Sequence, residues 1–305
     1  MPTFQSLYQT IQSAIGDESA DTLSRIQEFL NEGQRVIWNA HGWYFRKKKA
    51  RFNTVAPYTT GTITATQSST TLSISGGSLT GLEGYKFSLG ASSPYYRILS
   101  VAVGGLSATL EVGYAGTTVT TSTFLIYKDE YELPTSVKSM ISAKVLRSGW
   151  EELEYIDADR IDSFMSTQQL GTGVPRFYNS DGVSYSISTS PNSLHMWLAP
   201  VPDDIHPVEY TYLASVTDMS DDDDTPSLPD EFIPCLKQYG LALAYQLDYQ
   251  MAEQGIAARQ LFEANLEELK RTYKAENSVV YRIQPCDAHY HRPSMADNIR
   301  RSFNI

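Results

Sequence analysis

Five cations fall within six residues at Arg46-Lys47-Lys48-Lys49-Ala50-Arg51, directly after Trp43-Tyr44-Phe45. Cations beside aromatic rings can grip phosphates and stack bases. The same run fits a solvated helix end, where cations complement the helix dipole. It also fits a contact to an acidic protein partner, such as the acidic loop of a neighbouring copy. A second group, Cys286, Asp287, His289 and His291, offers a thiolate and two imidazoles of the kind that hold zinc. Its spacing matches no standard zinc knuckle and a fourth ligand is missing, so interface or solvent roles are expected for these residues. Carboxylates gather at Glu151, Glu152, Glu154, Asp157, Asp159 and Asp162. Acid–base catalysis needs two carboxyls in contrasting environments facing one cleft. The sequence gives no sign of such a cleft, and a solvated polar face is the expectation. Asp221, Asp222, Asp223 and Asp224 form an unbroken acidic run, but a calcium loop of the EF-hand type needs a central Gly and a closing Glu. Neither is there.

Other chemistry is sparse. No nucleophile elbow, phosphate loop or dinucleotide fingerprint occurs, and the glycines sit where hairpin turns account for them. His41, His195 and His206 stand alone in sequence, with structural roles expected. No cofactor is implied.

The elements that must position these residues differ sharply along the chain. Apolar residues at Leu23, Ile26, Leu30, Gly33 and Ile37 follow the stripe of an amphipathic helix, with Ser19 or Asp21 as its cap and Gly42 as its stop. Phe4, Leu7, Tyr8, Ile11 and Ile15 repeat the spacing and end at Gly16. Over residues 59–123, 35 of the 65 positions are Ser, Thr or Gly, and only Glu83, Lys86, Arg97 and Glu111 are charged. Runs such as Thr71-Leu72-Ser73-Ile74-Ser75 alternate with period two between glycine pairs, the pattern of short antiparallel strands. The apolar residues among them supply a core that a disordered linker would lack.

Further on, residues 136–145 suit a short helix or strand, and 151–164 a helix or loop. Residues 183–187, 194–198 and 208–213 alternate as strands. Residues 203–232 hold ten acidic side chains and no Lys or Arg, a solvated loop. Asp230 is then expected to cap a helical region with Pro234 in its first turn, interrupted near Gly255. The expected fold class is α+β. A helical and mixed core (1–57 and 129–276) carries an inserted all-β sandwich or barrel-like domain (58–128) and an extended C-terminal tail (277–305).

Composition supports these divisions and excludes several roles. A formal charge of −11 argues against a chain built to coat nucleic acid. Twenty tyrosines against 11 phenylalanines and 4 tryptophans suit half-wet interfaces. Two cysteines cannot build a disulfide framework. No signal-peptide pattern opens the chain, and no apolar run approaches the ~20 residues of a membrane helix.

Several motifs occur together in order. His41-Gly42-Trp43-Tyr44-Phe45 closes the N-terminal helix, and Tyr131-Glu132-Leu133-Pro134 follows the β-rich stretch. Gly173-Val174-Pro175-Arg176-Phe177-Tyr178, Met196-Trp197-Leu198-Ala199-Pro200-Val201-Pro202-Asp203 and Leu228-Pro229-Asp230-Glu231-Phe232 come next. This order resembles the head–tail adaptor (connector) proteins of tailed bacteriophages, across most of the chain. The β insert is the main departure, because smaller members have a short connection there. The resemblance implies a non-enzymatic virion protein of the neck, assembled in the host cytoplasm as a homo-oligomeric ring, commonly dodecameric. Such a ring sits on the portal protein, meets further neck or tail proteins and lets double-stranded DNA pass without tight binding. It also implies that the C-terminal segment docks along the portal. Arg282, Tyr290, Arg292, Arg300, Arg301 and Phe303 are the docking candidates there. Asp221 to Asp224 are candidates for lining or gating the channel, and Arg46, Lys47, Lys48, Lys49 and Arg51 for an interface patch. Some adaptors of this kind are credited with peptidoglycan hydrolysis, which no residue here supports. A glycan-binding insert using Tyr85, Tyr95, Tyr96 and Tyr114 is the rival reading, and a hydrolase built on the 151–162 carboxylates comes last.

Overall fold

The computed structural model of the chain describes residues 1–89, 94–157, 171–180, 193–247 and 251–273. The fold mixes helices and sheets, with four α-helices among the described residues. The chain divides into two compact units, Met1–Phe45 together with the chain from Asp218, and Arg46–Thr217.

The first unit is helical. Helix α1 (Phe4–Ile15) starts where the Thr3 hydroxyl accepts the Ser6 N–H and stops at Gly16, whose φ of 77° is left-handed. Glycine takes that conformation without the Cβ clash that other residues suffer. Helix α2 (Ala20–Asn39) is capped by Ser19, which accepts the Thr22 N–H, with Asp21 in its first turn. It ends ahead of Gly42. Helix α3 (Ile233–Ala244) packs against α1, α2 and helix α4 (Ala252–Thr272), and so forms the centre of the unit. Close approach explains its small neighbours: a Cβ on Gly33 would lie 2.6 Å from the Tyr239 ring. Asp230 opens a 3-10 turn (Asp230–Phe232) ahead of α3 and makes no side-chain cap. The interruption before α4 lies at a 3-10 turn, Tyr245–Leu247. Gly255 itself sits inside α4, where a Cβ would meet the Ala242 carbonyl at 3.3 Å. It marks a tight approach between helices, which reads in sequence like a break.

The second unit is built of strands. In chain order the first eight are β1 (Lys47–Asn53), β2 (Thr62–Ala65), β3 (Thr71–Ser75), β4 (Lys86–Ser88), β5 (Tyr96–Val101), β6 (Ser107–Leu110), β7 (Val119–Ser122) and β8 (Leu125–Tyr127). Then come β9 (Glu130–Glu132), β10 (Val137–Leu146), β11 (Trp150–Glu152), β12 (Glu154–Tyr155), β13 (Thr172–Gly173), β14 (Phe177–Asn179), β15 (His195–Ala199), β16 (Val201–Pro202) and β17 (Pro207–Ala214). Strands β2 to β8 make a seven-stranded antiparallel sheet, order β7-β2-β3-β6-β5-β4-β8, curled into a half-barrel. Ile63, Leu72, Phe87, Ile98, Leu110 and Ile126 form its buried core. The serines and threonines of β3 alternate outward in the pattern exposed, buried, exposed, buried, exposed. That is the period-two signal visible in the sequence.

Three smaller sheets complete the unit. One is antiparallel, order β1-β17-β10-β11, and another runs β12-β14-β15-β9. Strands β13 and β16 pair in parallel. Residues 136–145 thus resolve as strand, and the stretch from 151 is strand as far as Tyr155, where a helix or loop was expected. The cationic run is likewise a strand, because β17 holds it in a seven-residue antiparallel ladder. The expected strand at 183–187 lies outside the described residues.

Candidate functional site

Strand β1 is the outer member of its sheet. Lys47, Lys48, Lys49 and Arg51 are exposed along it, whereas Arg46 is buried in the turn just before. On one face Arg51 donates to Glu209 on β17 at 2.6 Å, and Lys49 lies 3.8 Å from the same carboxylate. Those two cations, with Lys144 of β10, hold the Glu209 carboxyl below the usual range, the hydrogen bond from Arg51 being the main cause. The Arg51 guanidinium also sits 5.1 Å from the Trp150 ring centre. Arg51 and Lys49 thus share the Glu209 carboxylate on this strand.

The acidic run is anchored within the helical unit. Asp222 and Asp224 offer backbone carbonyls to the Gln5 and Phe4 N–H groups at the start of α1. The Asp222 carboxylate accepts the Tyr8 hydroxyl at 2.7 Å. Asp224 accepts the N–H groups of Ser220 and Asp221, which hold its carboxyl below the usual range. Asn31 on α2 both donates to the Met219 carbonyl and accepts its N–H, and Arg35 pairs with Asp218. Asp221 and Asp223 keep exposed side chains. The solvated loop read in sequence is thus exposed at Asp221, Asp222 and Asp223 and tied through its backbone to α1.

A buried charge network joins the half-barrel to the rest of its unit. Lys86 on β4 meets Asp129 at 2.7 Å, and Arg97 on β5 meets Glu130 at 2.9 Å. The Nδ1 of His195 lies 3.0 Å from Glu130. Lys86 Nζ also sits 4.4 Å and 4.6 Å from the ring centres of Trp197 and Tyr95. This network escaped the reading of the sequence. Its signal was there, since Lys86 and Arg97 are two of only four charges in a long uncharged stretch.

The proposed sugar platform is dispersed by packing. Tyr96 and Tyr114 belong to the half-barrel core, with rings 5.4 Å apart, and Tyr85 packs against that core. Tyr95 is exposed. Glu151, Glu152, Glu154 and Asp157 are all exposed, and Asp159 and Asp162 lie outside the described residues. Glu151, Glu152 and Glu154 border a groove of about 330 Å³ with Arg147, Arg176 and Phe177. Equal exposure gives none of the described carboxyls the contrasting environment that an acid–base pair requires.

The ordered motifs converge on two places. In the helical unit, the Trp43 indole donates to the Ile37 carbonyl at 2.7 Å and meets Phe232 edge-on at 4.8 Å. Phe45 meets the same Phe232 at 5.2 Å. In the other unit, β15 lies between β14 and β9, with Met196 opposite Tyr131 and Leu198 opposite Tyr178. Each motif thus supplies one side of a shared packing contact, which explains their joint occurrence as a demand of the fold.

Among the described residues no group of three or more His, Cys, Asp or Glu is placed to hold a metal ion, and Cys286, Asp287, His289 and His291 lie outside them. So do Arg282, Tyr290, Arg292, Arg300, Arg301 and Phe303. No helix among the described residues is long and apolar enough to cross a membrane. Comparison with curated proteins returns no match. A family model for the SU10 adaptor protein matches residues 2–283, nearly the whole chain, with both motif clusters inside the match. The chain belongs to the SU10 adaptor protein family, a bacteriophage structural adaptor that is part of the virion and works among other phage structural proteins.

Proposed function

We propose that this adaptor assembles as a homo-oligomeric ring beneath the portal of a tailed phage. There it extends the DNA channel and offers tail components their attachment surface. The observation that carries the reading is the adaptor-family match over residues 2–283. The formal charge of −11 supports it, because a negative wall repels phosphate and lets the genome slide, whereas a basic one would hold it. In this reading the half-barrel of 58–128, which has its own core, is the domain that meets other neck or tail proteins. The tail of 277–305 docks along the portal subunits, using Arg282, Tyr290, Arg292, Arg300, Arg301 and Phe303. The work is adhesion and symmetry, and the neck of the virion is its place.

The test is retention on purified portal rings from the same virion. The intact chain is expected to remain bound through gel filtration, and the chain without residues 277–305 to elute free. Equal retention of both would remove the tail from the docking role. Failure of the intact chain to bind would remove the portal as partner.

A further inference from the structure

Strand β1 and the 218–224 corner are both exposed and charged, and they are opposite in sign. On β1, Lys48 and Lys49 are exposed, and Arg51 and Lys49 both pair with the Glu209 carboxylate. Among the described residues β1 is the outer strand of its sheet and is paired only with β17. Lysines on such a strand deter indiscriminate edge pairing and favour an anionic occupant. The 218–224 corner presents Asp221 and Asp223 from a backbone fixed by α1 and α2 through the bonds of Asp222, Asp224 and Met219. Ordering entropy is therefore already spent before any contact forms. The corner itself carries Asp218 and Asp221 to Asp224 with no Lys or Arg among residues 218–224.

We propose that the cationic β1 strand of one copy receives the exposed Asp221 and Asp223 of a second copy. Two unlike faces on one chain make a head-to-tail contact, the kind that generates rings when its rotation closes. This inference rests on the ring reading and assigns the acidic corner to the seam between copies, away from the channel wall. Duplex DNA is the other polyanion within reach of such a strand. The net charge of the chain opposes its approach, while it leaves local pairing between patches intact.

The experiment follows assembly of the full chain by sedimentation velocity, alone and on portal rings, at about 50 mM and about 500 mM salt. Its variants are Lys48→Glu/Lys49→Glu, Asp221→Lys/Asp223→Lys and the chain carrying all four changes, each checked for unchanged melting. Either pair of reversals is expected to weaken association by about tenfold or more at low salt. The fourfold variant is expected to recover most of that loss, because the reversed patches again face opposite charges. No recovery, or association indifferent to both reversals, would overturn the pairing while leaving the ring reading intact. A wild-type chain that neither self-associates nor assembles on portal rings would overturn the ring reading and the seam with it. Tight binding of an about 30-base-pair duplex, lost in Lys48→Glu/Lys49→Glu with assembly unchanged, would make the strand a nucleic-acid surface instead.

Discussion

Lys86 Nζ lies 2.7 Å from Asp129 Oδ2, with the side chains only 4% and 2% exposed. One partner comes from β4 of the half-barrel and the other from the segment that leaves it just before β9. A charge stripped of water is tolerable only while its partner and hydrogen bonds remain. The Trp197 and Tyr95 rings over the ammonium add attraction from their π faces. The pair therefore fixes where the inserted sheet meets the rest of its unit.

Removing one partner should expose that dependence. Lys86→Met is expected to cost about 3–5 kcal/mol, because it strands Asp129 as a buried charge. Lys86→Met with Asp129→Leu is expected to recover most of the loss. Urea denaturation followed by tryptophan fluorescence measures both, and equal costs for the single and double variants would deny the coupling.

The Tyr127 hydroxyl is buried with no hydrogen-bond partner among the described residues, and burial pushes its pKa far above the ordinary tyrosine value. An unsatisfied buried hydroxyl costs about 1–3 kcal/mol. Tyr127→Phe, which keeps the ring, is therefore expected to leave stability unchanged or raise it by about 1 kcal/mol. A clear loss in the thermal midpoint would mean that the hydroxyl has a partner in solution.

Helices α2 and α3 touch at Gly33, where an added Cβ would lie 2.6 Å from Cδ1 and 3.1 Å from Cγ of Tyr239. The ring cannot swing freely, since its hydroxyl also donates to Glu32. Helix propensity favours alanine by about 1 kcal/mol, yet overpacking of this kind costs about 1–3 kcal/mol. Gly33→Ala is expected to destabilise the helical unit, and a rise in its melting temperature would show that α3 shifts without strain.

The acidic corner should respond to low pH. Asp224 accepts N–H bonds from Asp221 and Ser220, so its folded pKa sits below the unfolded value near 3.8. A depressed pKa contributes stability above the unfolded value and loses it as pH falls through the folded one. Asp17, Asp203, Glu209 and Glu267 are lowered in the same direction by their own partners. Asp224→Asn is expected to shallow the acid limb of the stability profile below about pH 4. An unchanged limb would show that the corner is loose in solution.

Local patterns in the sequence foretold the helices and several of the strands. Both N-terminal helices, their caps at Ser19 and Gly16, and the alternation of β2, β3 and β6 follow from spacing alone. Where neighbours decide the outcome, the reading failed. The run Arg46 to Arg51 fits a helix end as well as a phosphate or partner contact in sequence, but β17 recruits Lys47 to Asn53 as a strand. Gly255 reads as a break, while its reason is the Ala242 carbonyl across the helix pair. His195 has the structural role expected of it, buried with its Nδ1 3.0 Å from Glu130, a partner that sheet pairing brings to it from far along the chain. The acidic run is an exposed loop, as its charge implies, while its bonds to α1 and α2, roughly two hundred residues earlier in the chain, leave no local pattern to read.

The central claim is that this adaptor becomes a ring on the portal, and mass by light scattering tests it most directly. The full chain is measured alone, then mixed with the portal ring of the same virion. The account predicts a complex whose added mass is a whole-number, multi-copy complement of adaptor chains, constant once the adaptor is in excess. A mixture whose mass is that of the portal ring and free adaptor side by side would contradict it.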